Sequence, residues 1–80
     1  MNPTDFYLKL DEMLELAPGT LKGGEALESL EGWDSVAVIS LIALADSEYG
    51  VTLPPKEIAE CRSVNDLLDL VSRLVAAAAN

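Results

Sequence analysis

The sequence Trp33-Asp34-Ser35-Val36 ends a segment rich in glycine and glutamate and opens onto the apolar run from Val36 to Ala45. A residue at the start of a helix lies beside unpaired backbone N–H groups and the positive end of the helix dipole. Such a position stabilises a phosphate group, because the donors and the field already point towards it. Asp34 can cap the helix with its carboxylate, which leaves the Ser35 hydroxyl free in the first turn. We therefore predict that Ser35 faces solvent at a helix start.

The helix that follows is predicted to run from about Ser35 to Tyr49, with Gly50 ending it in a left-handed conformation. At about 100° per residue, one face contains the residues expected in the core: Val38, Leu41, Ile42, Ala45 and Tyr49. The opposite face is half apolar although it is expected to meet water: Val36, Ile39, Ser40, Ala43, Asp46 and Ser47. A small exposed apolar strip beside Ser35 is typical of a docking surface.

An amphipathic helix is predicted before this segment, with Asn2 as its N-cap and Pro3 at its first position. We expect it to end at Pro18-Gly19, with an apolar stripe of Phe6, Leu10, Met13, Leu14 and Ala17 and with Asp11, Glu12 and Glu15 on the polar side. The long connection over residues 18–34 is expected to pack across the bundle, with a short helical turn around Ala26 to Leu30. Its expected apolar anchors are Leu21, Leu27, Leu30 and Trp33.

Two further helices are predicted after Gly50. A short one covers Pro55 to Glu60, and a longer one starts with Ser63 as its N-cap and Asp66 three residues later, a variant of the capping box. The apolar stripe of the last helix is predicted to be Val64, Leu67, Leu68, Val71, Leu74, Val75 and Ala78, with a fraying tail from Ala76 to Ala79. The expected fold class is all-α: one domain over residues 1–80, a small four-helix bundle of three longer helices and one short helix, with a long first loop.

The charge of the chain limits its partners. Five Lys or Arg residues stand against fourteen Asp or Glu residues, which gives a net charge of −9. This field repels nucleic acid and anionic membrane surfaces and favours partners with basic patches. No run reaches the ~20 apolar residues that span a bilayer, and Met1 leads into Asn2-Pro3 without a signal-like segment. With the single cysteine Cys61, these features predict a cytoplasmic domain.

Catalytic groups are scarce in this composition. There is no histidine, so neither a Ser-His-Asp arrangement nor a histidine-ligated metal site can form within the chain. One cysteine cannot build a zinc cluster, and the acids lack the alternating spacing of a calcium loop. We expect Cys61 to be a small apolar filler, and we expect no metal site and no enzymatic activity.

The pair Asp34-Ser35 before an aliphatic residue and a helix, together with Glu48-Tyr49-Gly50-Val51-Thr52-Leu53-Pro54, resembles the acyl carrier protein family over nearly the whole chain. The resemblance implies that Ser35 is the attachment point of 4'-phosphopantetheine, a covalent cofactor that comes from coenzyme A and carries acyl or aminoacyl thioesters. It implies a monomer whose partners are a phosphopantetheinyl transferase, an acyl- or aminoacyl-activating ligase, and downstream transferases or synthases. Fatty acid, polyketide, peptide and aminoacyl-transfer pathways all stay open at this point.

The resemblance also implies that the second helix docks onto partner enzymes. The docking residues predicted on this basis are Asp34, Val36, Ile39, Ala43, Asp46 and Leu53. Leu53 has a second interpretation, as a core anchor. Fatty-acid-synthesis carriers usually have acids at the positions of Ala37, Ser40 and Ser47, and a small residue at that of Trp33. These departures favour a specialised stand-alone carrier recognised more by apolar contact.

Two interpretations compete with the carrier hypothesis. Ser35 can be a plain capping serine, worth ~1 kcal/mol of helix stability, in a non-catalytic acidic interaction domain that leaves it unmodified. The apolar run from Val36 to Ala45 can instead lie on a membrane surface, the weaker of the two alternatives.

Overall fold

The structure is a computed structural model that describes residues 2–78. Helices form most of the fold over these residues. Four α-helices lie within them: α1 Pro3–Met13, α2 Ser35–Tyr49, α3 Pro55–Ala59 and α4 Val64–Ala78. The predicted fold class, an all-α bundle of three longer helices and one short helix with a long first loop, is confirmed over these residues. Asn80 and the end of the predicted alanine tail, Ala79, lie outside the described residues.

One apolar core joins all four helices and the first loop. Its buried members are Phe6, Leu10, Leu21, Leu27, Leu41, Ala45, Val51, Leu53, Ile58, Val64, Leu67, Leu70 and Val71. Burying a side chain of the size of leucine or phenylalanine contributes about 1.5–3 kcal/mol, so this cluster is the main source of stability. It also holds α2 against the other helices, and thereby fixes the direction in which the start of α2 points.

The bounds predicted for α2 are confirmed at both ends. Asp34 is the N-cap, and Gly50 ends the helix with a φ of 67°, a conformation that costs glycine little. The predicted core face is correct for Leu41 and Ala45, which are buried, but the third buried residue is Ala37. Val38, Ile42 and Tyr49, predicted for the same face, are half-buried at its margin.

The end predicted for α1 is wrong. The helix ends at Met13 rather than at Pro18, and Glu15 then adopts a left-handed φ of 60°. The reason is Asp11, which was expected on the polar side but is only 1% exposed. Its carboxylate accepts hydrogen bonds from the N–H groups of Gly19 at 2.8 Å and Leu21 at 3.0 Å. A buried carboxylate needs such donors, and these two pull the chain back over the end of the helix.

The first loop packs across the bundle as predicted and is tied to the start of α4. Leu27 N–H donates to the Arg62 carbonyl at 2.8 Å, and Val64 N–H donates to the Glu25 carbonyl at 3.1 Å. The predicted short turn is a 3₁₀ turn over Leu27–Ser29. Of the predicted anchors, Leu21 and Leu27 are buried, while Leu30 and Trp33 are half-buried against the core.

Gly23 is needed where this loop passes closest to its neighbours. Its φ is +113°, and a Cβ at this position would overlap Asn65 Oδ1 and the Tyr7 hydroxyl. That hydroxyl donates to Asn65 Oδ1 at 2.6 Å, while Asn65 N–H donates to the Gly23 carbonyl at 2.9 Å. The loop, α1 and α4 therefore meet at this glycine.

The capping box predicted for α4 is confirmed. Asp66 N–H donates to Ser63 Oγ at 3.2 Å, and Ser63 N–H donates to Asp66 Oδ2 at 3.2 Å. The stripe of α4 is correct at Val64, Leu67 and Val71, which are buried. Leu70 is also buried, although the predicted stripe omitted it.

Candidate functional site

Ser35 is an exposed residue at the first position of α2, as predicted. The preceding residue, Asp34, has an extended backbone, and its carboxylate accepts the Ala37 N–H at 2.9 Å. The Asp34 carbonyl accepts the Val38 N–H at 3.1 Å. Within the described residues, nothing hydrogen-bonds to the Ser35 hydroxyl, because Asp34 supplies the cap in its place.

The approach of the chain to Ser35 is fixed by the loop before it. Trp33 is half-buried against the core, and its backbone N–H donates to the Leu30 carbonyl at 3.2 Å. Gly32 lies inside the turn that this bond closes, and its φ of +88° is a conformation that glycine adopts at little cost. The exposed Ser35 therefore follows a turn whose conformation is held by the packing of Trp33 and by its hydrogen bond to Leu30.

This helix start suits a phosphodiester on the Ser35 oxygen. The caps on Ala37 and Val38 leave the N–H groups of Ser35 and Val36 as the remaining donors of the first turn. Together with the helix dipole they stabilise a negative charge by about 0.3–1 kcal/mol, which orients a phosphate but does not hold it without a covalent bond. Since Ser35 is exposed, a bulky group attached to it does not disturb the core.

The outer face of α2 carries an exposed apolar strip next to Ser35, formed by Val36, Ile39 and Ala43. The Val36 and Ile39 side chains are 67% and 66% exposed, the highest values among the large hydrophobic residues of the described chain. Ala43 and the predicted docking acids Asp34 and Asp46 are exposed as well. The structure therefore brings these predicted docking residues to one helix and its cap.

Leu53 does not belong to this surface. It is 1% exposed and packs in the core, which corrects its prediction as a docking residue and agrees with its second interpretation as an anchor. It follows Val51, also buried, in the extended segment between α2 and α3. This segment lies over the core, so its leucine points inward.

Two open depressions between α1 and α2 were missed in the sequence. One lies beside Asp34 and Val36 and the other beside Lys9 and Glu48, and Met13 and Ser40 line both. Ser40 was placed on an outer face open to water, yet it is half-buried where it lines these depressions. Only the packing of the two helices creates them, and no local sequence signal marks them.

The remaining reactive group, the Cys61 thiol, is half-buried. It donates to the Glu57 carbonyl at 3.4 Å, and burial raises the pKa of the thiol. A raised pKa lowers the fraction of reactive thiolate. Residues 2–78 contain no group of three or more His, Cys, Asp or Glu side chains placed to hold a metal ion.

Comparison with known families identifies the type of domain to which this helix start belongs. A sequence model described as the phosphopantetheine attachment site matches residues 10–71, a range that includes Ser35. The chain belongs to this family of acyl carrier protein-type domains. The family carries covalently attached 4'-phosphopantetheine, so this is the cofactor of the carrier domain.

Carrier domains of this type interact with phosphopantetheinyl transferases and with synthetic enzymes, and they are generally non-catalytic themselves. Searches of curated protein sequences and of solved structures find no match for this carrier domain. Among the described residues of the carrier domain, no helix is both long enough and apolar enough to cross a membrane.

Proposed function

We propose that this carrier domain holds acyl or aminoacyl groups as thioesters on a 4'-phosphopantetheine arm attached to Ser35. It would deliver them to partner enzymes in a specialised biosynthetic pathway of the cytoplasm, acting as a monomer. The observation that carries this proposal is the exposed hydroxyl of Ser35 at the first position of α2. This hydroxyl does not cap the helix, because the Asp34 carboxylate accepts the Ala37 N–H instead. A serine needed only as a cap would itself accept the N–H that Asp34 accepts here.

Loading would be performed by a phosphopantetheinyl transferase with coenzyme A and magnesium. Ser35 Oγ attacks the phosphorus that bears the pantetheine, and the pyrophosphate bond of coenzyme A breaks. Adenosine 3',5'-bisphosphate leaves, and the hydroxyl proton passes to a base of the transferase. An acyl- or aminoacyl-activating ligase would then charge the thiol.

The apolar strip is proposed as the surface that partners recognise. Covering an exposed Val or Ile side chain contributes about 1.5–3 kcal/mol, so Val36 and Ile39 would dominate the contact. Asp34 and Asp46 flank the strip and would meet basic residues of the partner. Exposed ion pairs contribute only about 0–1 kcal/mol, so these acids steer the approach more than they hold the complex.

The exposed strip also fits the alternative, a non-catalytic acidic interaction domain with an unmodified Ser35. Incubation with a promiscuous phosphopantetheinyl transferase and coenzyme A, followed by intact mass measurement, separates the two. Wild type should gain the mass of one phosphopantetheine and Ser35→Ala none, while the control Ser47→Ala, an exposed serine of the same helix, should load normally. An unchanged wild-type mass would favour the alternative, and a loaded Ser35→Ala would place the attachment elsewhere.

A further inference from the structure

The depression beside Asp34 and Val36 lies between the start of α2 and the turn that ends α1. Its lining includes residues of both segments: Met13, Leu14, Glu15, Asp34, Val36 and Ser40. Val36 therefore belongs both to this depression and to the exposed apolar strip of α2. A partner that covers the strip at Val36 also lies over the depression.

We propose that the turn after α1 is part of the docking surface and that this depression receives a long basic side chain, Lys or Arg, of the phosphopantetheinyl transferase. The inference rests on the proposed loading of Ser35 and adds Glu15 to a surface otherwise formed by α2 and its cap. The transferase is the partner concerned because it must reach the Ser35 hydroxyl. The two neighbours of Ser35 in sequence, Asp34 and Val36, line the depression.

The charge of the depression fits a cation. The described residues that line it include two carboxylates, Glu15 and Asp34, and no Lys or Arg. Asp34 uses Oδ1 to cap the helix, which leaves its other oxygen for a partner. Within residues 2–78, no hydrogen bond or ion pair engages the Glu15 side chain. The other depression already holds a cation of the chain, since Lys9 Nζ lies 3.7 Å from Glu48 Oε1.

The walls of the depression fit the stem of such a side chain. Met13 and Leu14 are half-buried and Val36 is exposed, so apolar surface lies on both sides of the depression. Lys and Arg cover apolar surface with their methylene groups and keep the charged head near water. A basic side chain would contact these three residues along its stem and Glu15 with its head. An acidic side chain would be repelled by both carboxylates.

Glu15 is held beside the depression by the fold rather than by local preference. Its φ of 60° lies in the left-handed region, which residues other than glycine adopt rarely. The Leu16 N–H fixes this turn by donating to the Asp11 carbonyl at 2.7 Å. The buried Asp11 carboxylate then holds the chain that follows. A rare backbone conformation that places a carboxylate at a surface depression supports a binding role.

The charge contact is tested by the kinetics of loading at low salt, about 0.05 M. Glu15→Gln should raise the KM of the transferase for the carrier about threefold, with kcat unchanged, because an exposed ion pair is lost. Glu15→Lys should raise it about tenfold, because the two cations repel each other. The control Glu12→Gln removes the same charge from α1 outside this depression and should keep the wild-type KM. At about 0.5 M salt, Glu15→Gln and wild type should have equal KM values.

The place of contact is tested by titrating the isotope-labelled carrier with the transferase in the absence of coenzyme A. We expect the backbone NMR signals of Leu14 and Glu15 to shift together with those of Asp34 and Val36. Shifts confined to α2 and its cap would overturn the inference.

The kinetic results can overturn it as well. An unchanged KM for Glu15→Gln at low salt, an equal rise for Glu12→Gln, or a rise that persists at high salt would each do so while the loading of Ser35 stands. Failure of the wild type to load would instead reject the proposed function itself. Urea unfolding of Glu15→Gln should match that of wild type, so that a changed KM reports on docking.

Discussion

The inner and outer faces of α2 are both apolar, yet they lie in opposite environments. The inner face is buried at Ala37, Leu41 and Ala45, whereas the outer face leaves a strip exposed at Val36, Ile39 and Ala43. The difference shows that the apolar residues of a helix are those that can be buried, whereas the segments that pack against the helix determine which of them are buried. A contiguous apolar strip that stays exposed to water is typical of an interaction surface.

The strongest way to break this comparison is to shorten one side chain on each face. Leu41→Ala removes a fully buried side chain and should lower the free energy of unfolding by about 2–5 kcal/mol, because the lost contacts leave a cavity. Ile39→Ala, on the exposed face, should change it by less than about 0.5 kcal/mol. Urea unfolding of both variants measures the contrast, and equal losses would mean that the outer face is buried in solution.

Asp11 extends the comparison to α1. On α2 apolar residues are exposed, whereas on α1 a charged residue is buried. Asp11→Ala leaves the N–H groups of Gly19 and Leu21 without their acceptor and should lower the free energy of unfolding by about 2–3 kcal/mol. Its exposed neighbour provides the control, since Glu12→Ala should cost less than about 0.5 kcal/mol. Urea unfolding checks both values; a similar cost for the two variants would contradict the structural role of Asp11.

The rate of loading by the phosphopantetheinyl transferase tests whether the exposed face of α2 is needed for partner recognition. The double variant Val36→Ser/Ile39→Ser should raise the KM of the transferase for the carrier about tenfold, because the partner no longer covers apolar surface. Its unfolding free energy should stay near that of wild type, since both residues are exposed. Leu8→Ser, at a 41% exposed residue of α1, is the matched control. An equal rise in KM for this control would show that the transferase does not recognise the strip specifically.

The smallest effect is expected at the cap where the two faces begin. Asp34→Ala removes the acceptor of the Ala37 N–H and should lower the free energy of unfolding by about 1 kcal/mol. Asp34→Ser restores a capping oxygen and should recover most of the loss. Thermal unfolding of both variants checks this order, and an unchanged Asp34→Ala would show that Ser35 can take over the cap.

Local signals predicted the elements that depend on a few neighbouring residues. Asp34, Gly50 and the Ser63–Asp66 pair are caps whose hydrogen bonds close within three or four residues, so their sequence spacing is enough. The end of α1 was predicted incorrectly because the hydrogen bonds that Asp11 accepts from the Gly19 and Leu21 N–H groups join residues eight and ten positions apart. Leu53 was assigned to docking by resemblance, although the packing of the segment after α2 turns it inward.

The sequence by itself determined the all-α class and the bounds of α2, because these depend on short-range hydrogen bonds and helical periodicity. Only the tertiary structure decided that Asp11 is buried, that Ala37 faces the core, and that depressions open between α1 and α2. These features arise where segments distant in sequence meet, and the contact of two helices is not encoded in the periodicity of either one alone.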